Sequence, residues 1–299
     1  MPLLLFLFWG QIMIKAKKIT KSFFKKNFPK RPKNSYKNLN GKVFIFAGSK
    51  TMPGAAVLCA KAAYRSGAGF ITLAVPKEIL PACLKAVPEA LFLQISNNPL
   101  KEIISYLKKM PHDVLLIGPG LTKERAKILL PLLKQSKLPA VIDGDALIFL
   151  AQAGLEILPK AKEAKYILTA HAGEAKRLLK QTLPAEKSAL ILTEKSGAVS
   201  LFKGPKTKVA LNKNLWQNTT GNEGLAKAGS GDTLAGIIAA LYAQLLKKGR
   251  KDVALISALL GVWLHGKAAD EASKTYGKTS LMPTDVCKFI SIVLKQNSF

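Results

Sequence analysis

The residues best placed to do chemistry lie between Gly221 and Gln244, in the run GNEGLAKAGSGDTLAGIIAALYAQ. Gly221, Gly224, Gly229 and Gly231 precede an abrupt switch to Leu234, Ile237, Ile238 and Leu241 at helical spacing. A glycine-rich turn that opens a buried helix gathers unpaired backbone N–H groups at the positive end of the helix dipole, and such a junction suits a phosphate. Asp232 stands at that junction. The plainer reading is that Ser230 or Asp232 only caps the helix. Four glycines within eleven residues exceed what one cap needs, and they suit a backbone that closes round an anion. An aspartate beside a bound phosphate can take a proton from a substrate hydroxyl while the helix end holds the developing charge.

Other turns share this character. Gly118-Pro119-Gly120 is either a tight turn before a helix or a place where a ligand meets bare backbone. Asp143 and Asp145 flank Gly144 and read as a pair for phosphate-bound Mg²⁺, or as one acid plus a helix cap. His171 sits between small residues with Glu174 three positions on, so it could donate to a substrate oxygen or amide. Lys195, Ser196, Gly197 and Ala198 form a plain hairpin turn or a cover over an adenine or ribose. Of the other two histidines, His265 reads as a core residue inside an apolar helix and His112 as exposed before a strand.

Elements that alternate along the chain must position these turns. KVFIFAGS from Lys42, FITLAVP, the stretch from Pro88 to Ile95, DVLLIGPGL, PAVIDGDAL and KYILTAH each read as a short apolar strand. Helices are expected from about Gly54 to Ser66, through Ala126 to Leu133, after His171, from Ser230 onward, from Asp252 to about Glu271, and from Pro283 to the end. ALILTEKSGAVSLFKG and TKVAL read as strands. Continuously apolar strands alternating with helices specify an α/β fold with a mostly parallel sheet covered on both faces. The suspicious turns all fall at the carboxyl ends of strands, where such sheets place their ligands. No linker interrupts the pattern, so residues 42–299 read as a single domain.

Hydrophobic residues make up 48% of the 299-residue chain, ample for one core. The formal net charge is +28, from 46 Lys+Arg against 18 Asp+Glu. That balance favours anionic partners, but Arg is scarce and the lysines scatter over helix faces, which argues against a sequence-specific nucleic-acid reader. Cys59, Cys83 and Cys287 have neither zinc nor disulfide spacing, so reduced buried thiols in a cytoplasmic protein are expected, with no metal held by side chains alone. Residues 1–41 read as a basic, irregular extension. Met1–Ile14 is apolar but short for a bilayer span and lacks signal-peptide features; followed by basic residues, it could give weak contact with a membrane surface. A disordered extension, with Met13 as an alternative start, is the favoured reading.

The ordered set GS…GAA…AAYRSGAG, GPGL, DGDAL, LTAHAGE and GNEGLAKAGSGDTLAGII resembles the ADP- or ATP-dependent NAD(P)H-hydrate dehydratases, which have a ribokinase-like fold. The resemblance covers about Ser35 to Val286. That family repairs NADH or NADPH to which water has added at C6 of the nicotinamide ring. A nucleotide phosphorylates the hydroxyl, phosphate leaves and the double bond re-forms. The resemblance implies that Ala55, Gly120, His171 and Asp232 touch the hydrate, with Asp232 as base. It implies that Gly229, Ser230 and Gly231, together with Lys195 to Val199, meet the adenine nucleotide, that Mg²⁺ offsets the phosphoryl charge, and that the protein is a homo-oligomer, a tetramer. Bacterial members typically use ADP, which gives AMP and phosphate. The chain departs from the family at Ala172, where Pro is usual, and at Glu223, Lys227 and Ala228 near the phosphate turn. It has Lys195-Ser196-Gly197-Ala198 where Lys-Gly-Ala is usual. The lead-in is too short for the epimerase domain that many bacterial members carry. Two rival readings remain: a ribokinase-like kinase of a small vitamin-precursor alcohol, and a non-catalytic basic protein that binds nucleotide or nucleic acid.

Overall fold

A computed structural model describes residues 15–159 and 164–297. Along the chain these form β1 (Lys17–Lys18), α1 (Lys21–Asn27), β2 (Lys42–Phe46), α2 (Pro53–Arg65), β3 (Phe70–Pro76), α3 (Leu80–Ala86), β4 (Leu91–Ile95), α4 (Pro99–Lys109) and β5 (Val114–Ile117). Then come α5 (Lys123–Ala126), α6 (Leu129–Ser136), β6 (Ala140–Ile142), α7 (Asp145–Ala153), β7 (Tyr166–His171), α8 (Ala172–Leu179) and α9 (Ala185–Ser196). The last are β8 (Val199–Lys203), β9 (Lys208–Leu211), β10 (Asn214–Gln217), α10 (Ser230–Leu246), α11 (Val253–Ser280) and α12 (Pro283–Gln296).

The described residues give one ten-stranded sheet in the order β1-β10-β9-β8-β7-β6-β5-β2-β3-β4. Strands β4 through β8 with β2 and β3 are parallel, as the continuously apolar runs require, and β9 turns antiparallel between β8 and β10. Alternate residues of one strand feed two cores. Val43 and Ile45 face the layer of α2, α10, α11 and α12, while Phe44 and Phe46 face that of α4, α6, α7 and α8. α11 is long and apolar enough to cross a membrane by composition, but 78% of its most apolar window is buried inside the fold, so it is a core helix here.

Four expectations change. ALILTEKS is helical, lying in α9, and buries Leu190 and Leu192 against the sheet edge and the second core. A short apolar run bounded by polar residues fits strand and helix alike. The helix expected through Ala126 to Leu133 is two helices, α5 and α6. His112 is buried, with Nε2 2.9 Å from Thr72 Oγ1 and Nδ1 2.8 Å from the Met110 carbonyl, and burial pushes its pKa down to about 4. The basic lead-in is not irregular throughout. β1 pairs in parallel with β10, and Phe24 of α1 is fully buried and stacks on Trp263 with ring centroids 4.3 Å apart. Arg250 donates to the Asn27 carbonyl and to its Oδ1 at 3.2 and 2.8 Å, which fastens the end of α1. Met1–Ile14 lies outside the described residues.

Candidate active site

The parallel strands end in register, and their carboxyl ends bring distant residues together. Asp143 follows β6, His171 ends β7 and Lys203 ends β8, paired in register with His171. Lys203 Nζ donates to Asp143 Oδ1 at 2.7 Å and lies 3.8 Å from Glu174 Oε2. Burial works against the Lys203 ammonium. Asp143 and Glu174, with Asp232 behind them, more than offset it and raise its pKa. The lysine is therefore a fixed positive charge among carboxylates.

α10 delivers the glycine turn to this charge. Gly229, with φ +89°, is the N-cap, so neither Ser230 nor Asp232 caps the helix. Ser230, Gly231 and Asp232 form its first turn, whose amides have no acceptor one turn earlier in the helix; that of Ser230 finds the Lys227 carbonyl at 3.2 Å. Gly231 brings its backbone close to these charges. A Cβ there would sit 3.2 Å from Lys203 Nζ and 3.7 Å from Asp143 Oδ2. Asp232 is half-buried, and burial together with the Asp143 charge raises its pKa from 3.8 to about 6, against the pull of Lys203. His265 lies behind the turn with Nε2 3.5 Å from Ser230 Oγ; burial, helped by Lys203, drives its pKa down to about 4 and keeps it neutral. The core reading of His265 stands, with the addition that it backs the turn.

The second wall starts at α2. A Cβ on Gly120, whose φ is +61°, would lie 2.9 Å from the Ala55 Cβ and 3.0 Å from that of Met52, so the two predicted substrate contacts are neighbours. One turn further along α2, Cys59 Sγ donates to the Asp232 carbonyl at 3.3 Å, which ties this wall to the α10 turn. Gly118, with φ +124°, lies so close to the Asp143 carbonyl that no side chain fits. Asp145 is the first residue of α7, not its cap; its Oδ2 accepts from the Thr122 N–H at 3.1 Å and holds Thr122 at the left-handed φ of +81°.

The structure thus gathers Asp232, Gly231, Ser230, Gly229, His171, Ala55 and Gly120 at one edge of the sheet. It does not bring Lys195–Val199 there. Lys195 and Ser196 end α9, Gly197 is its left-handed cap, and Val199 starts β8 opposite Ile167. They lie at the amino edge, about 13 Å down the strand from Lys203 at ~3.3 Å per residue. A second lysine-glycine pair, Lys203–Gly204, stands at the functional edge, and sequence reasoning passed over it. Its one signal was a lysine ending an apolar strand.

Fold and site together define a ribokinase-like α/β protein with an acid and a glycine turn at the carboxyl edge of its sheet. A ribokinase-like protein from Enterococcus faecalis superposes with a TM-score of 0.81 at 26% identity, over 95% of this chain and 96% of that one. The family model described as NAD(P)H-hydrate dehydratase matches residues 43–291, and this chain belongs to that family. It is 34% identical to the ADP-dependent (S)-NAD(P)H-hydrate dehydratase of Listeria monocytogenes, over 93% of this chain and 96% of that protein. It is 36% identical to the bifunctional NAD(P)H-hydrate repair enzyme of Moorella thermoacetica over 93% of its own length and 53% of that protein. The chain spans about half the length of the bifunctional relatives it matches. The Bacillus subtilis ADP/ATP-dependent NAD(P)H-hydrate dehydratase, co-crystallised with ATP/Mg²⁺, superposes with a TM-score of 0.82 at 26% identity, over 96% of this chain and all of that one.

Proposed function

We propose that this chain restores NADH and NADPH from the S-epimer of their hydrates, with ADP as phosphoryl donor. The observation that carries this reading is Asp232: a half-buried carboxylate with a pKa raised to about 6, in the first turn of a helix whose Gly231 lies beside the Lys203 ammonium. A base poised near neutrality can take the proton of the ring hydroxyl. The hydroxyl oxygen then attacks the terminal phosphorus of the nucleotide, the P–O bond to the leaving AMP breaks, and the first-turn amides and Lys203 meet the charge on the transferring oxygens. Phosphate then leaves C6 with the electrons of the C–O bond, and loss of a proton from C5 re-forms the C5–C6 double bond. Lys203–Gly204 and the Gly229–Gly231 turn form the nucleotide side of the cleft, and Ala55, Gly120 and His171 the hydrate side. The choice of ADP follows the name of the Listeria relative.

Among the described residues no group of three or more His, Cys, Asp or Glu side chains is placed to hold a metal ion. The acids fit an Mg²⁺ that arrives on the nucleotide, since such an ion keeps phosphate oxygens and needs only one or two carboxylates. Asp143 is the carboxylate that would meet it, which leaves Asp232 to act as base, and when bound the ion would offset phosphoryl charge. A homotetramer, a cytoplasmic site of action and weak contact of Met1–Ile14 with a membrane surface belong to the same proposal as family and sequence expectations.

Purified hydrate, incubated with ADP or with ATP, tests the reading through the returning nicotinamide absorbance. NADH recovery with release of AMP and phosphate is expected with ADP. A stable phosphorylated product without NADH would replace this reading with that of a vitamin-precursor kinase.

A further inference from the structure

His171 ends β7, and its ring is tied into the start of α8. Nδ1 accepts from the Gly173 N–H at 3.0 Å and from the Glu174 N–H at 3.3 Å. Glu174 Oε2 accepts in return from the His171 N–H at 2.8 Å. This is a capping box in which an imidazole replaces the usual hydroxyl. A ring nitrogen that takes two N–H donors presents its lone pair and has no room for a proton. The neutral ring must then carry its proton on Nε2. Nε2 lies 3.6 Å from Glu174 Oε1, too long for a good hydrogen bond, and the His171 side chain is 54% exposed against 6% for Glu174. The Nε2–H is therefore open to a ligand.

We propose that Glu174 is a positioning residue that, with its own amide and that of Gly173, locks His171 as a neutral ring protonated on Nε2, so that His171 donates to an acceptor oxygen of the substrate and takes no proton from it. The proposal rests on the hydrate reading for the identity of that oxygen. The carboxamide carbonyl is an acceptor throughout the reaction, and it is the oxygen assigned to His171 here. The charged groups facing the pair are Lys203 from the end of β8, Asp143 from the end of β6 and Arg177 from α8 itself. Burial and Lys203 depress the His171 pKa, which agrees with a ring that stays neutral.

Two-bond proton–nitrogen spectra of labelled protein read the tautomer directly, with the signal assigned by its absence in His171→Asn. A bare Nδ1 and a protonated Nε2 are expected from about pH 8 down to about pH 7. A proton on Nδ1, or a doubly protonated ring in that range, overturns the lock. Glu174→Gln keeps an oxygen for the His171 N–H and should leave the hydrate KM within about threefold of the parent. Glu174→Ala should raise it about tenfold and mix the tautomers. Equal losses in the two variants would overturn the positioning role. The spectra need no substrate, so an Nε2-protonated ring in a protein that restores no NADH would support the lock and sink the hydrate reading alone.

Discussion

Asp232 carries two opposed consequences of its surroundings. As a base it should work only when ionised. With its pKa raised to about 6, kcat/KM should fall tenfold per pH unit below that value and level off above it, a limb that a pH–rate profile will show. Asp232→Asn removes the proton acceptor, and kcat should drop about 10²–10⁴-fold while the circular dichroism spectrum is unchanged. The same carboxylate costs the fold something. Its folded pKa lies above the ordinary 3.8, so the native state holds the proton more tightly, and stability is lost as pH rises from about 4 through about 6. Asp232→Asn should therefore melt at a higher temperature than the parent at alkaline pH, and the difference should vanish in acid. An inactive variant that is no more stable at pH 8 would contradict the burial argument. At this scale the chain was largely readable. Glycine spacing and a helical apolar switch exposed Asp232, and small residues round a histidine exposed His171. Lys203 was invisible because it is one of 46 basic side chains, and only burial beside Asp143 and Glu174 sets it apart.

At the scale of elements, the site depends on how closely α10 lies against α2. Gly236 sits on the Cys59 carbonyl of α2 with no room for a Cβ. Gly236→Ala must push the helices apart at the point where Cys59 also reaches the Asp232 carbonyl. It should cost about 1–3 kcal/mol by denaturant titration, as overpacked cores do. It should also weaken catalysis, although Gly236 lies beyond the first turn. The alternation of apolar strands with helices made the parallel sheet legible, because strands buried on both faces have nowhere to place polar residues. α9 was misread for the opposite reason. Its apolar stretch from Ala189 to Leu192 is short, and α9 covers the sheet only near its edge, so no helical stripe is written into it. That misreading also set the expected nucleotide stretch, Lys195–Val199, in a turn between an imagined strand and β8, at the end of β8 opposite Lys203.

Over the whole molecule, the charge of +28 and the basic lead-in suggested a tail, and the structure makes part of that tail core. Phe24 is fully buried against Trp263 of α11, so Phe24→Ala should cost about 3–5 kcal/mol, read as a lowered midpoint in urea. A midpoint unchanged by that substitution would mean α1 is only loosely laid on the surface. Composition could not reveal this, because a few contacts, Phe24 on Trp263 and Arg250 on Asn27 among them, carry the attachment while every neighbouring lysine argues for solvent.

The pairing of β1 with β10 has a practical consequence for anyone who trims this protein. Cutting at the first motif, near Lys42, would strip the cover from Asn214–Gln217 and leave a row of unsatisfied amides and carbonyls beside an uncovered Trp216. Such a rim recruits the same rim on a neighbour. The shortened chain should come out of the cell as inclusion bodies or as strand-swapped dimers, while one that begins ahead of Lys17 keeps its short, lysine-bearing edge strand.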